Sequence, residues 1–373
     1  MLDVIIIGAG PYGISVAAHA VANKISYKLF GYPMDFWKNQ MPQNMYIRTP
    51  HDLVSFSDPE GEYTIQQFAK ETQTNLESPL PRTVFVRYAF WFAEKVGIEF
   101  TPEFVNILSF NGQYYTIVTE SGDSLEAKNI VIATGVKDFQ YIPSPYKELP
   151  ESYVSHTLGY TDFNKFRGMD VIVVGSGQSA WEAAALLHQA QANVKLIYRK
   201  KRHIYGGSRI AELILRRIGD IFYWFPGPLK KLLWKAGSIT VPIARFLKPL
   251  VEETVPKFAN ITINQVRVVN NKVLLKFTNG DETFADHIIV ASGFKIDLDK
   301  LPFVEDHLKS QILREEECAA FPKLNQNFES NLRGLFFAGP LSAHSHGPTF
   351  RFILGLDKAS KTIIRSITKQ EES

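Results

Sequence analysis

Two runs of apolar residues with no polar break stand out along the chain, Val4-Ile5-Ile6-Ile7 and Val171-Ile172-Val173-Val174. Each leads into a glycine turn and then into an alanine-rich stretch, Ile14 to Val21 and Ala180 to Leu187. An apolar run without alternation predicts a parallel strand covered on both faces, and the stretch after it predicts the covering helix. A similar run returns later in each half: Ile130-Val131-Ile132-Ala133 before Thr134-Gly135, and Ile288-Ile289-Val290-Ala291 before Ser292-Gly293. Between these runs, residues 98–128 and 261–285 carry turn signals at Asn111-Gly112, Ser121-Gly122-Asp123 and Asn279-Gly280, which predict β meanders. The first half also predicts a strand over Tyr27 to Phe30 and irregular chain over 33–59. Helices are predicted from Thr64 to about Thr72 and from Thr83 to Val96, the latter closed by Gly97.

Strand, glycine turn, helix, meander and strand therefore occur twice in the same order. The tail, Leu335-Phe336-Phe337-Ala338-Gly339-Pro340 with a helix predicted over 349–367, has no counterpart in the second half. It is expected to return to the first. The expected division is 1–165 plus 295–373 for one domain and 166–294 for the other, with a helical insertion at 204–255.

The turns themselves are Gly8-Ala9-Gly10-Pro11-Tyr12-Gly13 and Gly175-Ser176-Gly177-Gln178-Ser179-Ala180. In such a motif the first glycine permits the tight turn, the second lets a pyrophosphate approach the backbone, and the third position lets helix and strand pack closely. The helix end adds unpaired N–H groups and the positive end of its dipole. Two copies in strand–turn–helix context imply two dinucleotides, most simply a flavin and a nicotinamide. The fold class is thus α/β, with two Rossmann-like dinucleotide-binding domains, the second inserted in the first. Gly8, Gly10, Pro11, Tyr12, Gly13, Gly175, Gly177, Gln178 and Ser179 are the expected contacts.

The end of the next strand distinguishes the nucleotides, because an acid there serves ribose hydroxyls and arginine serves a 2′-phosphate. The second copy reads Tyr198-Arg199-Lys200-Lys201-Arg202, without an acid. Arg199, Lys200 and Arg202 accordingly assign NADPH to this copy. The first copy has Gly31 where the acid is expected, and FAD is assigned to it from its place at the N-terminus and from the tail. Gly339, Pro340, Gly347 and Pro348 are expected to flank a second helix end facing the flavin.

Composition narrows the field. With 45% hydrophobic and 21% charged residues, the 373-residue chain has the make-up of a globular protein. A net charge of +3 gives no case for nucleic acid. Cys318 is the single cysteine, which excludes an internal dithiol and points to a reducing cytoplasm. A strand begins at once, so no signal peptide is expected. His344 and His346, at i, i+2 beside Gly and Pro, suit a loop at the flavin edge better than a metal site, and no metal is expected. The aromatic and basic stretch 221–235 allows a peripheral membrane contact, a lid or a dimer surface, but packing on its own domain is favoured. Oligomeric state is left open.

These motifs resemble the two-dinucleotide-binding-domain flavoproteins: flavin-containing and Baeyer–Villiger monooxygenases and the lysine and ornithine N-hydroxylases. GAGPYG at 8–13, VIATG at 131–135, GSGQSA at 175–180 and VASGF at 290–294 fall in that order across nearly the whole chain. Ser155-His156-Thr157, Asp162 and Phe166-Arg167-Gly168 resemble a form of the linker signature FxGxxxH that lacks its leading Phe-x-Gly. Phe30-Gly31-Tyr32-Pro33-Met34, Trp37, Met41-Pro42 and Met45 are similar to a bacterial branch of FAD/NAD(P)-binding proteins. The resemblance implies that NADPH reduces FAD and that a C4a-(hydro)peroxyflavin passes one oxygen atom from O2 to a small-molecule substrate. It implies Trp37 and Arg48 near the flavin, Thr134 and Gly135 in its cleft, and His156 at the hinge near NADP⁺, with His156 and Arg48 as catalytic candidates. An acidic substrate has Arg48 or Arg351 to meet, an aromatic one Phe222 or Trp224. The rivals are an NADPH-dependent flavoprotein reductase of a quinone, ferredoxin-like protein or small disulfide, and a flavoprotein that senses NADPH without turnover.

Overall fold

The first apolar run forms strand Leu2–Ile7, the middle of a seven-stranded sheet. It lies parallel to Tyr27–Phe30 on one side and Ser124–Ile132 on the other, with Ile7 level with Phe30 and Ile132. The computed structural model describes residues 1–201, 203–239 and 242–371. Leu335–Phe337 of the tail pairs in parallel with Ile130–Ile132, so the last strand of the chain completes the first sheet. Helix Pro11–Ala22 covers one face and packs against the terminal helix Leu356–Glu371 and against Arg82–Val96. Two expected helices are present as Ile65–Thr72, capped by the Thr64 hydroxyl accepting from the Gln67 N–H at 3.2 Å, and Arg82–Val96, ended by Gly97.

The second apolar run forms Asp170–Val174 in a five-stranded sheet whose pairings are all parallel. Its order is Lys257–Ala259, Asn193–Tyr198, Asp170–Val174, His287–Val290 and Val154–His156. The edge strand corrects the boundary drawn at 165/166. Val154–His156 sits in the second sheet, and Phe163 and Phe166 are in that sheet's core. A three-residue strand carries too little pattern to be read in advance. The meanders also differ: Val105–Phe110 and Tyr115–Thr119 extend the first sheet, while Ile263–Val269, Lys272–Phe277 and Glu282–Ala285 form a sheet of their own.

The insertion holds helices Arg209–Ile221, Gly227–Ile239 and Leu247–Glu252. Its last part packs on its own domain, with Ile243, Leu247 and Val251 in the second core. The aromatic and basic stretch does not, although the sequence favoured it, and reaches across to the tail of the first. Phe222 is fully buried against Gly347, where an added β-carbon would fall 2.8 Å from the phenyl ring. Lys358 donates to the Asp220 carbonyl, and Trp234 meets Phe321 at 5.3 Å between ring centres. The outer side keeps Ile210, Ile214, Ile221 and Trp224 exposed. Among the described residues no helix is long and apolar enough to cross a membrane.

Candidate active site

Both glycine turns sit at the carboxyl ends of central strands, where open α/β sheets bind ligands. They open onto one and the same cleft, of about 1210 Å³. Gly8, Gly10, Pro11, Tyr12, Thr134 and Gly135 line it from the first sheet; Gly175, Gly177, Gln178, Ser179, Arg199 and Lys200 line it from the second. A β-carbon at Gly8 would lie 2.4 Å from the Ala133 carbonyl oxygen, and one at Gly175 would lie 2.5 Å from that of Ala291. Gly13, just behind the lining, would meet the Gly8 oxygen at 1.9 Å, and Ala180 takes the matching place in the second copy. Gly10 and Gly177 face open space, with no heavy atom within 4 Å of an added β-carbon. Each twelve-residue helix, Pro11–Ala22 and Gln178–Gln189, therefore begins at a bare turn that a pyrophosphate can approach.

The first turn is bolted to the tail. The Tyr12 hydroxyl donates to the Phe352 carbonyl at 2.8 Å and the Phe350 carbonyl at 3.0 Å, and burial pushes its pKa well up. Gly31 donates its N–H to the Thr101 carbonyl at 3.1 Å and lines the cleft without any carboxylate. Phe30 pairs with Thr101, so that neighbouring strand delivers Glu103 to the same end of the cleft, where Asp35 also lies. Trp37 lines the cleft and packs on Phe85 at 4.9 Å.

At the second turn, Arg199 is exposed and makes no hydrogen bond or ion pair among the described residues. Lys200 lies beside it, and Arg202 falls outside the described residues. The Gln178 side chain is committed inside the protein: its amide donates to Glu182 at 2.8 Å, and its oxygen accepts from the Ala244 N–H at 2.7 Å. Its backbone is thus the part that faces a phosphate at the turn. Glu182 lines the cleft yet is buried, and burial pushes its carboxyl up to about 7 against hydrogen bonds from Gln178 and the Tyr46 backbone.

Several expectations need correcting. His156 is buried outside the lining, with both ring nitrogens held by backbone. The Leu158 N–H donates to Nδ1 at 3.1 Å, which leaves Nε2 to donate to the Gly293 carbonyl at 3.0 Å. Burial lowers its pKa, and a ring so tied and set outside the lining is not placed to exchange protons at the cleft. Of the tail residues, Pro340 lines the cleft; Gly339 packs on the Tyr12 ring, and Gly347 and Pro348 lie under the insertion. His346 is fully buried 3.7 Å from Phe328, and His344 lies 3.5 Å from Glu315, so neither is at the cleft edge. Phe222 is buried and Trp224 is 68% exposed, and neither reaches the cleft. Arg48 does line it. Its Nη1 donates to the Pro242 carbonyl at 3.1 Å, its guanidinium lies over the Phe352 ring at 5.1 Å, and its Nε is 3.7 Å from Glu212.

A family profile for L-lysine 6-monooxygenase/L-ornithine 5-monooxygenase matches residues 1–207, more than half of the chain. The chain belongs to that family. Several relatives, distant in sequence, span its length. An uncharacterized CzcO-like oxidoreductase of Geobacillus kaustophilus is 22% identical over 362 residues, 91% of each chain. The ornithine N-hydroxylase of Kutzneria sp. 744, solved with reduced FAD, NADP⁺ and L-ornithine, superposes over 100% of both chains with a TM-score of 0.83 and 16% identity. A bacillithiol disulfide reductase of Staphylococcus aureus covers 99% of both chains with a TM-score of 0.72 and 20% identity. At such identities the structural likeness is one of fold. Family and fold together make the chain an FAD- and NADPH-dependent oxidoreductase of the monooxygenase family.

Two acids were not foreseen: Glu182, which lines the cleft, and Glu212, buried behind it as the neighbour of Arg48. Glu182 left a trace in the sequence: it is the lone charge in the apolar stretch Ala180 to Leu187. Glu212 left none, because its importance comes from Arg48, far away in the chain. Phe352 and Ile353, beside the expected Arg351, also line the cleft.

Proposed function

We propose that the chain is an NADPH-dependent FAD monooxygenase acting on a small molecule in the cytoplasm. The observation that carries this reading is the single cleft reached by both glycine turns, which lets a hydride donor held by one reach an acceptor held by the other. FAD supplies hydride acceptance from NADPH and, once reduced, the activation of O2. The residues of the chain supply the rest. The N–H groups of Gly10 and the turn of helix Pro11–Ala22 hold the flavin pyrophosphate, and Glu103 and Asp35 take the ribose hydroxyls in place of the acid missing at Gly31. Arg199 and Lys200 hold the 2′-phosphate. Trp37, Met45, Phe352 and Ile353 line the cleft with apolar surface that keeps water from the reacting atoms. His156 is a positioning residue, fixing strand Val154–His156 to the Gly293 turn.

The test is to reduce the FAD-loaded protein with NADPH, mix it rapidly with oxygenated buffer and follow the flavin spectrum. A near-ultraviolet absorbing species that outlives reduction and precedes oxidised flavin is expected. Direct return to oxidised flavin, with stoichiometric peroxide and rapid quinone or ferredoxin reduction, would replace this reading with the reductase one. Cys318 is absent from the cleft lining, so no protein thiol is in place for disulfide exchange there.

A further inference from the structure

We infer that the end of the cleft facing the insertion is a receptor for a substrate with an apolar body and one negative charge, its carboxylate held by Arg351 and Arg48. The inference rests on the monooxygenase reading and names the substrate class of that site. Arg351 lines the cleft, is half-buried in the turn Pro348–Arg351, and has no hydrogen bond or ion pair among the described residues. Burial works against its charge. A half-buried guanidinium that faces the cleft without a protein partner is free to pair with a ligand anion.

Arg48 is only half-used. It meets Glu212 at 3.7 Å, beyond hydrogen-bond distance, and both the Arg48 Nε and the Glu212 Oε2 are buried without a hydrogen-bond partner. One arm is spent on the Pro242 carbonyl, and the flat of the group rests on Phe352, the residue next to Arg351. The Arg48 Nε is enclosed with Glu212 and its Nη1 is spent, so a carboxylate arriving here would take the Arg48 Nη2 and the unused fork of Arg351. Glu212 is the stand-in anion, weakly engaged because its hydrogen bonds are unmade.

The charges at this end support a single negative group. Arg48 and Arg351 are opposed by Glu212, which leaves one positive charge over. Glu182 is the other acid nearby, tied to Gln178 and kept partly protonated by burial. Among the described residues no other acid is bonded to Arg48 or Arg351, so a diamino acid would bring its two cations to two guanidinium groups. Met45, Ile47, Phe352 and Ile353 offer the body of the ligand apolar contact.

Cofactor phosphates are the competing anions, and the experiment separates them. The FAD-loaded protein, oxidised and without NADPH, is titrated with phenylacetate, with its neutral isostere phenylacetamide and with L-ornithine, reading the flavin absorbance. Phenylacetate is expected to bind at least about tenfold more tightly than phenylacetamide, because a site built for a charged group rejects the analogue lacking it. Arg351→Gln should bring acid and amide within about twofold of each other, and Arg351→Lys should restore part of the preference. Flavin content and NADPH affinity are measured on the same variants. Loss of flavin or of NADPH binding in Arg351→Gln assigns the group to a cofactor and overturns the inference. So does equal binding of acid and amide, no binding of either, or stronger binding of ornithine. The titration needs no oxygen reaction, so its outcome is independent of the test of monooxygenation.

Discussion

The two glycine turns share a backbone device but differ in everything around it. In both, the first glycine is crowded by a carbonyl from the neighbouring strand, Ala133 or Ala291, while the second faces open cleft. At the same helical register the first copy carries Ser15, whose buried hydroxyl accepts from the Ser57 N–H at 3.2 Å, and the second carries the buried acid Glu182. The first turn is clasped by the tail through Tyr12, and the second stands beside an exposed Arg199. Phosphate approach is thus a property of the turn, and the nucleotide that uses it is decided one strand further on. The first turn, tied to the tail through Tyr12, suits a resident cofactor. The second is more open and suits one that comes and goes.

The largest effects are expected where that shared device is broken in one copy at a time. Gly13→Val places a side chain on the Gly8 carbonyl and should destabilise the protein by at least about 1–3 kcal/mol of overpacking, with loss of bound flavin. Gly177→Val meets no neighbour and should fold, keep its flavin and lose NADPH by well over about tenfold, because the side chain stands where the pyrophosphate enters. Flavin content after gel filtration and NADPH titration separate the two. If Gly177→Val lost flavin and kept NADPH, the assignment of the turns would be reversed.

Next in size is the buried acid that only the second helix carries. Burial raises the Glu182 carboxyl from 4.5 to about 7, so between those values the folded state binds the extra proton and stability falls as pH rises. At about 1.4 kcal/mol per unit, the loss across that window is on the order of 3 kcal/mol. Denaturant unfolding at pH 5 and pH 8 should show Glu182→Gln losing less than wild type by roughly that order. Equal losses in both proteins would mean that the carboxyl is ionised throughout. Smaller again is Arg199→Ala, expected to weaken NADPH by about 1.5–3 kcal/mol while leaving NADH unchanged. Loss shared equally by both nucleotides would remove the 2′-phosphate assignment.

What the sequence disclosed and what it hid divides along the same line. The strands, turns and helices next to them were legible because apolar runs, glycines and capping residues act over a few positions. Thr64 and Gly97 mark helix ends locally, and the glycines mark close contacts. The site's clasps were hidden because they join distant parts of the chain: Tyr12 to Phe352, Arg48 to Glu212, Phe222 to Gly347. His156 shows the limit most plainly. The motif singled it out, but its bonding was decided by the backbone groups of Leu158 and Gly293, which no spacing announces.

The smallest effect is expected from the group that replaces the acid missing at Gly31, and it sharpens the comparison most. In the usual arrangement one strand supplies both the turn and, at its neighbour's end, the carboxylate for the ribose. Here that neighbour ends in Gly31, whose added β-carbon would lie only 3.1 Å from the Ala9 N–H nitrogen, so the position is closed to a side chain. The next strand over, Phe100–Thr101, pairs with it and carries Glu103 two residues on, at the same end of the cleft. Glu103→Gln keeps the shape and an oxygen that can accept, and removes only the charge. It should therefore weaken FAD by about 0.5–1.5 kcal/mol, the worth of a single charge-assisted contact in a solvated site, and leave NADPH binding to the reduced or oxidised protein unchanged. An unchanged flavin affinity would mean that backbone alone holds this ribose, and that the first site gains its tightness from enclosure by the tail instead.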